Sequence, residues 1–427
     1  MTAFPYPVRC FNCHPVTMED PALYREQMKK VIHICGWAGE ITGETGIPGL
    51  RIDFNAGLRL QVPAGNWHIR ISDYDTEMVF FDEPLAETIL ISMENYYIHW
   101  QIEICDNGRL VFSHLFDPDG QTVMLAAGDD CALGDALAFL PYVKVFQEKY
   151  ATARVCLHLP PYLQGIARRF YPQIPLRDRV PDDSYATFFF NTGLDNLLTL
   201  PIDGRQVPLQ DVGRVTLGLY HPAPRLVWKA EPRQIREPYV CIGVQASSPI
   251  KGWFYPEGWD IVIRYLKELG YRVLCIDRDA AMTDKGLTVT RPETAEDFTG
   301  NHPLTERADM LAHADFFIGL PSGLAWLADI VGCPVVMIGG FSFYWYEFPD
   351  AYHVYNPFSC YGCMNDIRDN YFKNFCGRHW NTPRALECSR TISPRQVIRA
   401  IDQLMSDQKA RLRLPTTTPT RRRNGTG

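Results

Sequence analysis

The stretch Ala314-Asp315-Phe316-Phe317-Ile318-Gly319-Leu320-Pro321-Ser322-Gly323-Leu324-Ala325-Trp326-Leu327-Ala328 decides the fold. Phe316 to Ile318 reads as a buried strand that runs into a tight turn, and the turn opens a helix. Pro321 stands by the first helical turn, where its missing N–H removes no bond. Ser322 is a favoured N-cap residue. Gly323 removes a Cβ where the first free N–H groups point outward. A positive helix end with unpaired donors is an anion site. The same letters also spell an ordinary strand–turn–helix of an α/β sheet, so the neighbouring segments decide between the two.

Upstream, a linker rich in Pro and charge (His221 to Pro238) precedes the unit to which this stretch belongs, residues 236–354. Tyr239 to Val244 is its first strand, Ser247 to Trp253 a loop, Trp259 to Leu269 a helix and Arg272 to Asp277 the next strand. Ligands of such sheets bind beyond the carboxyl ends of the strands. Lys251, Asp277 and the Ser322 turn all fall at that edge. A lysine there neutralises a phosphate as a point charge, and an acid at a strand end accepts a ribose hydroxyl. Each alone reads equally as a solvated charge; three at one edge point to a ligand.

Residues 128–235 alternate in the same way. Leu133-Gly134-Asp135-Ala136-Leu137 opens a helix, Arg154 to Leu159 is a strand, Tyr162 to Tyr171 a helix and Tyr185 to Asn191 a strand. This alternation means a parallel sheet with helices on its faces. Asp135 is either a favourable partner of the helix dipole or a general base at the rim of a cleft. Asp203-Gly204 between apolar runs predicts a projecting hairpin within 194–219. Residues 36–127 change character. Leu58 to Val62, His68 to Ile71, Glu77 to Phe81, Tyr97 to Ile104 and Arg109 to Phe112 alternate apolar and polar between turn signals, which predicts a small antiparallel β-barrel or sandwich. The N-terminal segment, 1–35, holds Cys10-Phe11-Asn12-Cys13-His14; with no second ligand pair nearby, these read as two packed thiols.

Composition narrows the function. A chain of 427 residues with 46% hydrophobic content carries two or three domains with real cores. Its net charge of -7 argues against a nucleic-acid partner, and Arg421 to Arg423 in the Thr/Pro/Gly tail 411–427, which reads as disordered, is too short to change that. No apolar run reaches membrane-span length, so no stable membrane insertion is expected. Residues 1–15 lack the charged-then-apolar pattern of an export signal. Thirteen cysteines without such a signal predict a reducing cytoplasm.

At this point the residues meet a family. Leu133 to Leu137 with Leu140-Pro141 resembles the first-domain motif of the lipopolysaccharide heptosyltransferases of glycosyltransferase family 9. Lys251-Gly252-Trp253 followed by Trp259 resembles that family's Lys-x-Trp-Pro loop, and Ala314 to Ala328 its signature for the phosphates of an ADP-sugar. The resemblance covers roughly residues 128 to 345. It implies an α/β fold of the GT-B type, two facing Rossmann-like domains, with inverting, metal-independent chemistry. It also implies Asp135 as base and Lys251 with Ser322, Gly323 and Leu324 on the diphosphate. Gly134, Asp277 and Trp326 join the substrate set, and His302 lies in the segment Thr299 to Pro303 expected beside adenine. Two positions depart from the pattern: Pro321 stands where the family commonly has Asp, and Trp326 where it has His.

The region 355–392 adds Cys360-x-x-Cys363, Cys376 and Cys388, one close pair and two spaced thiols. Four thiolates suit a tetrahedral zinc or iron centre, and the polar loop Met364 to Phe375 needs a metal to organise it; packing cysteines are the alternative. A helix, 393–410, follows. A barrel, a double Rossmann-like body and a four-Cys metal finger together resemble the bacterial autotransporter heptosyltransferases. That resemblance implies ADP-heptose as donor, Ser hydroxyls of autotransporter passenger repeats as acceptor and iron in the finger. It further implies a dimer through the finger and a ring dodecamer through the hairpin thumb. Two alternatives stand beside it, a lipopolysaccharide-core heptosyltransferase and a non-catalytic nucleotide-sugar-binding assembly module.

Overall fold

The computed structural model describes residues 4–13, 21–94, 96–128, 131–190, 200–284, 286–368 and 376–413. Strand β1 (Val8–Phe11) and helix α1 (Pro21–Trp37) lead into β2 (Arg51–Asn55), β3 (Arg59–Val62), β4 (Trp67–Asp73), β5 (Val79–Leu85), β6 (Thr88–Ser92), β7 (Trp100–Asp106), β8 (Arg109–Leu115) and β9 (Thr122–Ala127). Helices then alternate with strands: α2 (Leu133–Phe139), α3 (Tyr142–Lys149), β10 (Arg154–His158), α4 (Pro161–Phe170), β11 (Ser184–Phe190) and α5 (Leu209–Thr216).

The β-rich region does not close on itself as the expected barrel. Its strands divide between two sheets. β4, β5, β7 and β8 form an open antiparallel sheet in the order β5-β4-β7-β8. β2, β3 and β6 instead join a seven-stranded mixed sheet, β1-β6-β3-β2-β11-β9-β10, with the strands of the following α/β region. Burial explains the division. β2, β6 and β9 are buried on both faces, as strands inside a layered sheet must be, whereas β7 alternates buried and more exposed positions and β8 is exposed or intermediate throughout. Of the alternating runs, Leu58 to Val62 therefore belongs to the mixed sheet and not with the others.

A buried ion pair ties α1 to this sheet. Arg59 and Asp53 are almost wholly buried, and the guanidinium Nη2 donates to Asp53 Oδ2 at 2.6 Å and Nε to Oδ1 at 2.7 Å. Its Nη1 also donates to the carbonyls of Cys35 and Gly39 at 2.8 and 2.9 Å, plugging orphan acceptors at the end of α1. Cys13 is buried, and its N–H donates to Glu94 Oε1 at 2.6 Å; His14 lies outside the described residues.

The second sheet is wholly parallel. The chain runs through β12 (Tyr239–Gly243), a 3-10 turn (Pro249–Lys251), α6 (Gly258–Glu268), β13 (Arg272–Cys275), a separate antiparallel hairpin of β14 (Ala281–Asp284) and β15 (Leu287–Thr290), then β16 (Glu296–Asp297), α7 (Leu304–His313), β17 (Phe317–Gly319), α8 (Gly323–Ile330), β18 (Val335–Ile338) and β19 (Tyr352–Val354). The order β16-β13-β12-β17-β18-β19 means the chain leaves β12 in one direction and returns to its other side at β17. The crevice beyond Gly243 and Gly319 is therefore a topological switch point, where α/β sheets bind ligands. The short helix α9 (Glu387–Arg390) precedes α10 (Pro394–Arg413), which covers this sheet through Val397, Ile401 and Leu404. Strong helix formers carry α10 past residue 410 into the expected tail. The hairpin expected over 194–219 falls partly on 191–199, outside the described residues. From residue 200 the chain makes a turn, Gln206 N–H donating to Asp203 O at 2.9 Å, and then α5, so this part is not a hairpin. No helix among the described residues is long and apolar enough to cross a membrane.

Removing one partner of the Arg59–Asp53 pair leaves the other charge buried alone. Arg59→Ala should lower the unfolding free energy by about 3–5 kcal/mol, measured by urea denaturation; a change under about 1 kcal/mol would show that the pair is dispensable.

Candidate active site between two helix N-termini

The first turn of α8 follows β17 directly and sits at the switch point. Its leading N–H groups have no intrahelical acceptor. Ser322 occupies the N-cap position with extended backbone (φ -148°, ψ 165°), but its side chain makes no cap bond. The hydroxyl is buried and has no hydrogen-bond partner, against the expected N-cap role.

The first turn of α2 packs against this turn with glycine facing glycine. A Cβ on Gly323 would stand 2.7 Å from the Leu133 side chain. A Cβ on Gly134 would stand 3.0 Å from Trp326 Cδ1 and 3.7 Å from Gly323 Cα. Any side chain at either position would push the helix ends apart. Asp135 follows Gly134 in that first turn, so an acidic residue stands in the first turn of α2, which packs against the N-terminus of α8.

Lys251 ends the 3-10 turn, whose first N–H donates to the Ser248 hydroxyl. Its ammonium lies over the Phe341 ring, 5.4 Å from the centroid. The following Trp253 is locked by a 2.8 Å bond from Nε1 to the Ile392 carbonyl and by an edge contact with Trp259.

Glu347 joins this group, and the sequence reading missed it. It is only 8% exposed, and it accepts hydrogen bonds from Trp326 Nε1 and from the Ser342 hydroxyl, each at 3.0 Å. Burial pushes its carboxyl above the usual range. Lys251 and the two hydrogen bonds oppose that shift, and the charge of Asp135 adds to it. Lys251, Asp135 and Glu347 thus form one electrostatic cluster. The usable signal was a lone acid inside the aromatic run Phe341 to Phe348, because an acid buried in such a run must find partners.

The other expected residues take different places. Trp326 is 3% exposed and packs edge-on against Phe348, so it forms the floor of the site and not its open wall. Asp277 is 2% exposed, and its carboxylate accepts the Val244 and Gln245 N–H groups at 2.7 and 3.2 Å. Burial pushes it up to about 6 against those bonds. It clamps the loop after β12, in place of the open ribose acceptor expected of it. His302 lies at the rim with a half-exposed ring, Nδ1 3.1 Å from Glu306 Oε2. Its segment borders the same sheet edge, where the Gly300 N–H donates to the Asp277 carbonyl. The structure therefore gathers Gly134, Asp135, Lys251, Ser322, Gly323, Leu324 and Trp326, and leaves Asp277 beneath the loop and His302 at the margin.

Among the described residues the structure does not gather the four finger cysteines into one metal-ligand group, against what the spacing led one to expect. Burial, then Cys363, Cys376 and Cys360, push the Cys388 thiol up to about 12. Cys360 has further neighbours: the ligand atoms of Cys360, His379 and Glu387 lie within 4.8 Å of one another. Part of the intervening loop, 369–375, lies outside the described residues. Soft thiols with an imidazole beside them fit zinc or iron.

The profile of glycosyltransferase family 9 (heptosyltransferase) matches residues 222–342, and that of the glycosyltransferase TibC N-terminal domain matches 46–108. The autotransporter heptosyltransferase TibC of Escherichia coli O78:H11 is 36% identical over 84% of this chain and 91% of its own length. A crystal structure of TibC, described as dodecameric, iron-containing and in complex with ADP-D-beta-D-heptose, superposes with a TM-score of 0.79 at 34% identity, over 86% of this chain and 98% of that one. BimC of Burkholderia thailandensis, described as an inactive autotransporter heptosyltransferase, is 33% identical over 84% of this chain and 86% of its own length. The fold and site define a glycosyltransferase of the family 9 type. Within that class the chain belongs to the autotransporter heptosyltransferases.

The glycine contact gives a direct check. Gly323→Ala should cost about 1–3 kcal/mol through overpacking against Leu133 and weaken ADP binding in the same protein, read by thermal melting with and without ADP. An unaltered melt and ADP response would show that the helix ends do not need this approach.

Proposed function

We propose that the protein is an inverting O-heptosyltransferase that moves heptose from ADP-heptose to Ser hydroxyls of an autotransporter passenger. The convergence of Asp135 with the open N-terminus of α8 carries this reading. We read the two sheets with this cleft as a GT-B arrangement. The TibC complex with an ADP-heptose supports the donor.

In this mechanism the Ser322 hydroxyl and the Gly323 and Leu324 amides bind the diphosphate, and Lys251 supplies the countercharge. Asp135 takes the proton of the acceptor hydroxyl as that oxygen bonds to the anomeric carbon. The carbon–phosphate oxygen bond breaks on the opposite face. Its electron pair leaves on ADP, where the helix end and Lys251 stabilise the added charge. A β-linked donor then gives an α-linked product. Asp277 shapes the loop, and the segment of His302 lies beside the adenine.

Cys360, Cys363, Cys376 and Cys388 would hold iron, with zinc as the alternative. The metal supplies cross-linking of the loop and no step of transfer. The iron-containing, dodecameric TibC supports both the metal and a homo-oligomer. No disulfide forms among the described cysteines, and a reducing cytoplasm is the compartment that suits them.

A non-catalytic role remains the second reading because BimC is described as inactive. Asp135→Ala separates the two. ADP should still raise the melting temperature while transfer falls at least about a hundredfold; equal transfer by wild type and variant would remove Asp135 from the mechanism. For the finger, elemental analysis should find about one tightly bound metal per chain. Cys360→Ser should weaken assembly, read by light scattering, more than ADP binding; metal-free protein that assembles normally would refute the role.

A further inference from the structure

Glu347 has no part in the mechanism above, yet it is the buried acid of the cleft. Burying a carboxylate costs several kcal/mol unless its partners compensate. Its two direct partners, Trp326 Nε1 and the Ser342 hydroxyl, are neutral donors that a glutamine could also satisfy. Hydrogen bonding alone therefore does not explain why an ionisable acid stands here in place of an amide. The charged groups that face it are Lys251 and Asp135, one of each sign.

We propose that Glu347 is a positioning residue for transfer that works through its fixed negative charge. Trp326 and Ser342 hold it in place, it balances Lys251 before the donor arrives, and it then strengthens Asp135 as a base. A second negative charge beside a carboxylate favours the protonated form of that carboxylate. Before the donor binds, Lys251 offsets this effect. Once the diphosphate takes up the lysine charge, Glu347 is left to act on Asp135. Base strength therefore rises at the stage when the acceptor proton must move. This inference rests on Asp135 being the base.

The test compares full-length wild type with Glu347→Gln, using ADP-D-β-D-heptose and a Ser-bearing passenger repeat. Glutamine keeps both contacts, its carbonyl accepting from Trp326 and its amide donating to the Ser342 oxygen. KM for the donor should stay within about threefold and kcat should fall about tenfold. The sign of the pH effect follows from the charge: without it Asp135 loses its proton more easily. The acid limb of kcat, which reports the substrate-bound enzyme, should therefore move to lower pH, by about one unit, and Glu347→Asp should restore it. A wild-type kcat and an unmoved limb in Glu347→Gln would overturn the proposal.

If Glu347→Gln does not fold, Ser342→Ala carries the test. Removing that donor raises the proton affinity of Glu347 and should move the limb the same way, and an unmoved limb again overturns the idea. Asp135→Asn distinguishes the failures. A variant with full rate and an unchanged limb defeats the base assignment and this inference with it. If the limb disappears in Asp135→Asn, the base assignment stands and Glu347→Gln decides this inference alone.

Discussion

The site depends on two helix N-termini approaching closely enough for glycine to touch glycine. Helix ends repel in principle, because each carries a partial positive charge and unsatisfied N–H groups. Here Gly134 and Gly323 remove the steric barrier, and Asp135 supplies the negative charge that makes the approach favourable. The same arrangement leaves the first turn of α8 open at the switch point of the parallel sheet. A positive helix end and an acidic residue are thereby brought together by the backbone, before any specific side-chain contact is counted.

The finger is joined to this site by the loop between β18 and β19. The Gly362 N–H donates to the Gly340 carbonyl at 2.8 Å, and the Met364 N–H to the Phe341 carbonyl at 3.1 Å. Asn365 accepts the Phe343 N–H at 2.8 Å and donates to the Arg205 carbonyl at 2.6 Å. Phe341 lies under Lys251, and Ser342 holds Glu347. Thiols that look remote in the sequence are thus attached to the floor of the cleft and to the turn before α5. A polar loop with little apolar content gains order from such bonds and from a metal, because it cannot gain it from a core.

Much of this was readable in the letters, for identifiable reasons. β17 and α8 were legible because an apolar run, a Pro-Ser-Gly turn and a helical pattern each point the same way. The four cysteines stood out by spacing, but spacing did not show that Cys360 would sit beside His379 and Glu387. The barrel was not, because alternation reports a half-exposed strand but not which sheet receives its fully buried neighbours β2, β3 and β6. The hairpin of β14 and β15 went unread, as its strands are short and largely exposed. Asp277 was placed correctly at the sheet edge, but its burial against two backbone N–H groups cannot be seen without coordinates. Glu347 escaped because its meaning comes from Trp326, 21 residues earlier, and from charges on two other elements.

The most direct test of the account is intact-mass analysis of an autotransporter passenger repeat co-expressed with this protein in cells that make ADP-heptose. The account predicts a ladder of species, each heavier than the last by one heptose residue, with the sugars on Ser. A passenger of unmodified mass, from cells in which the protein is folded and binds ADP, would contradict it.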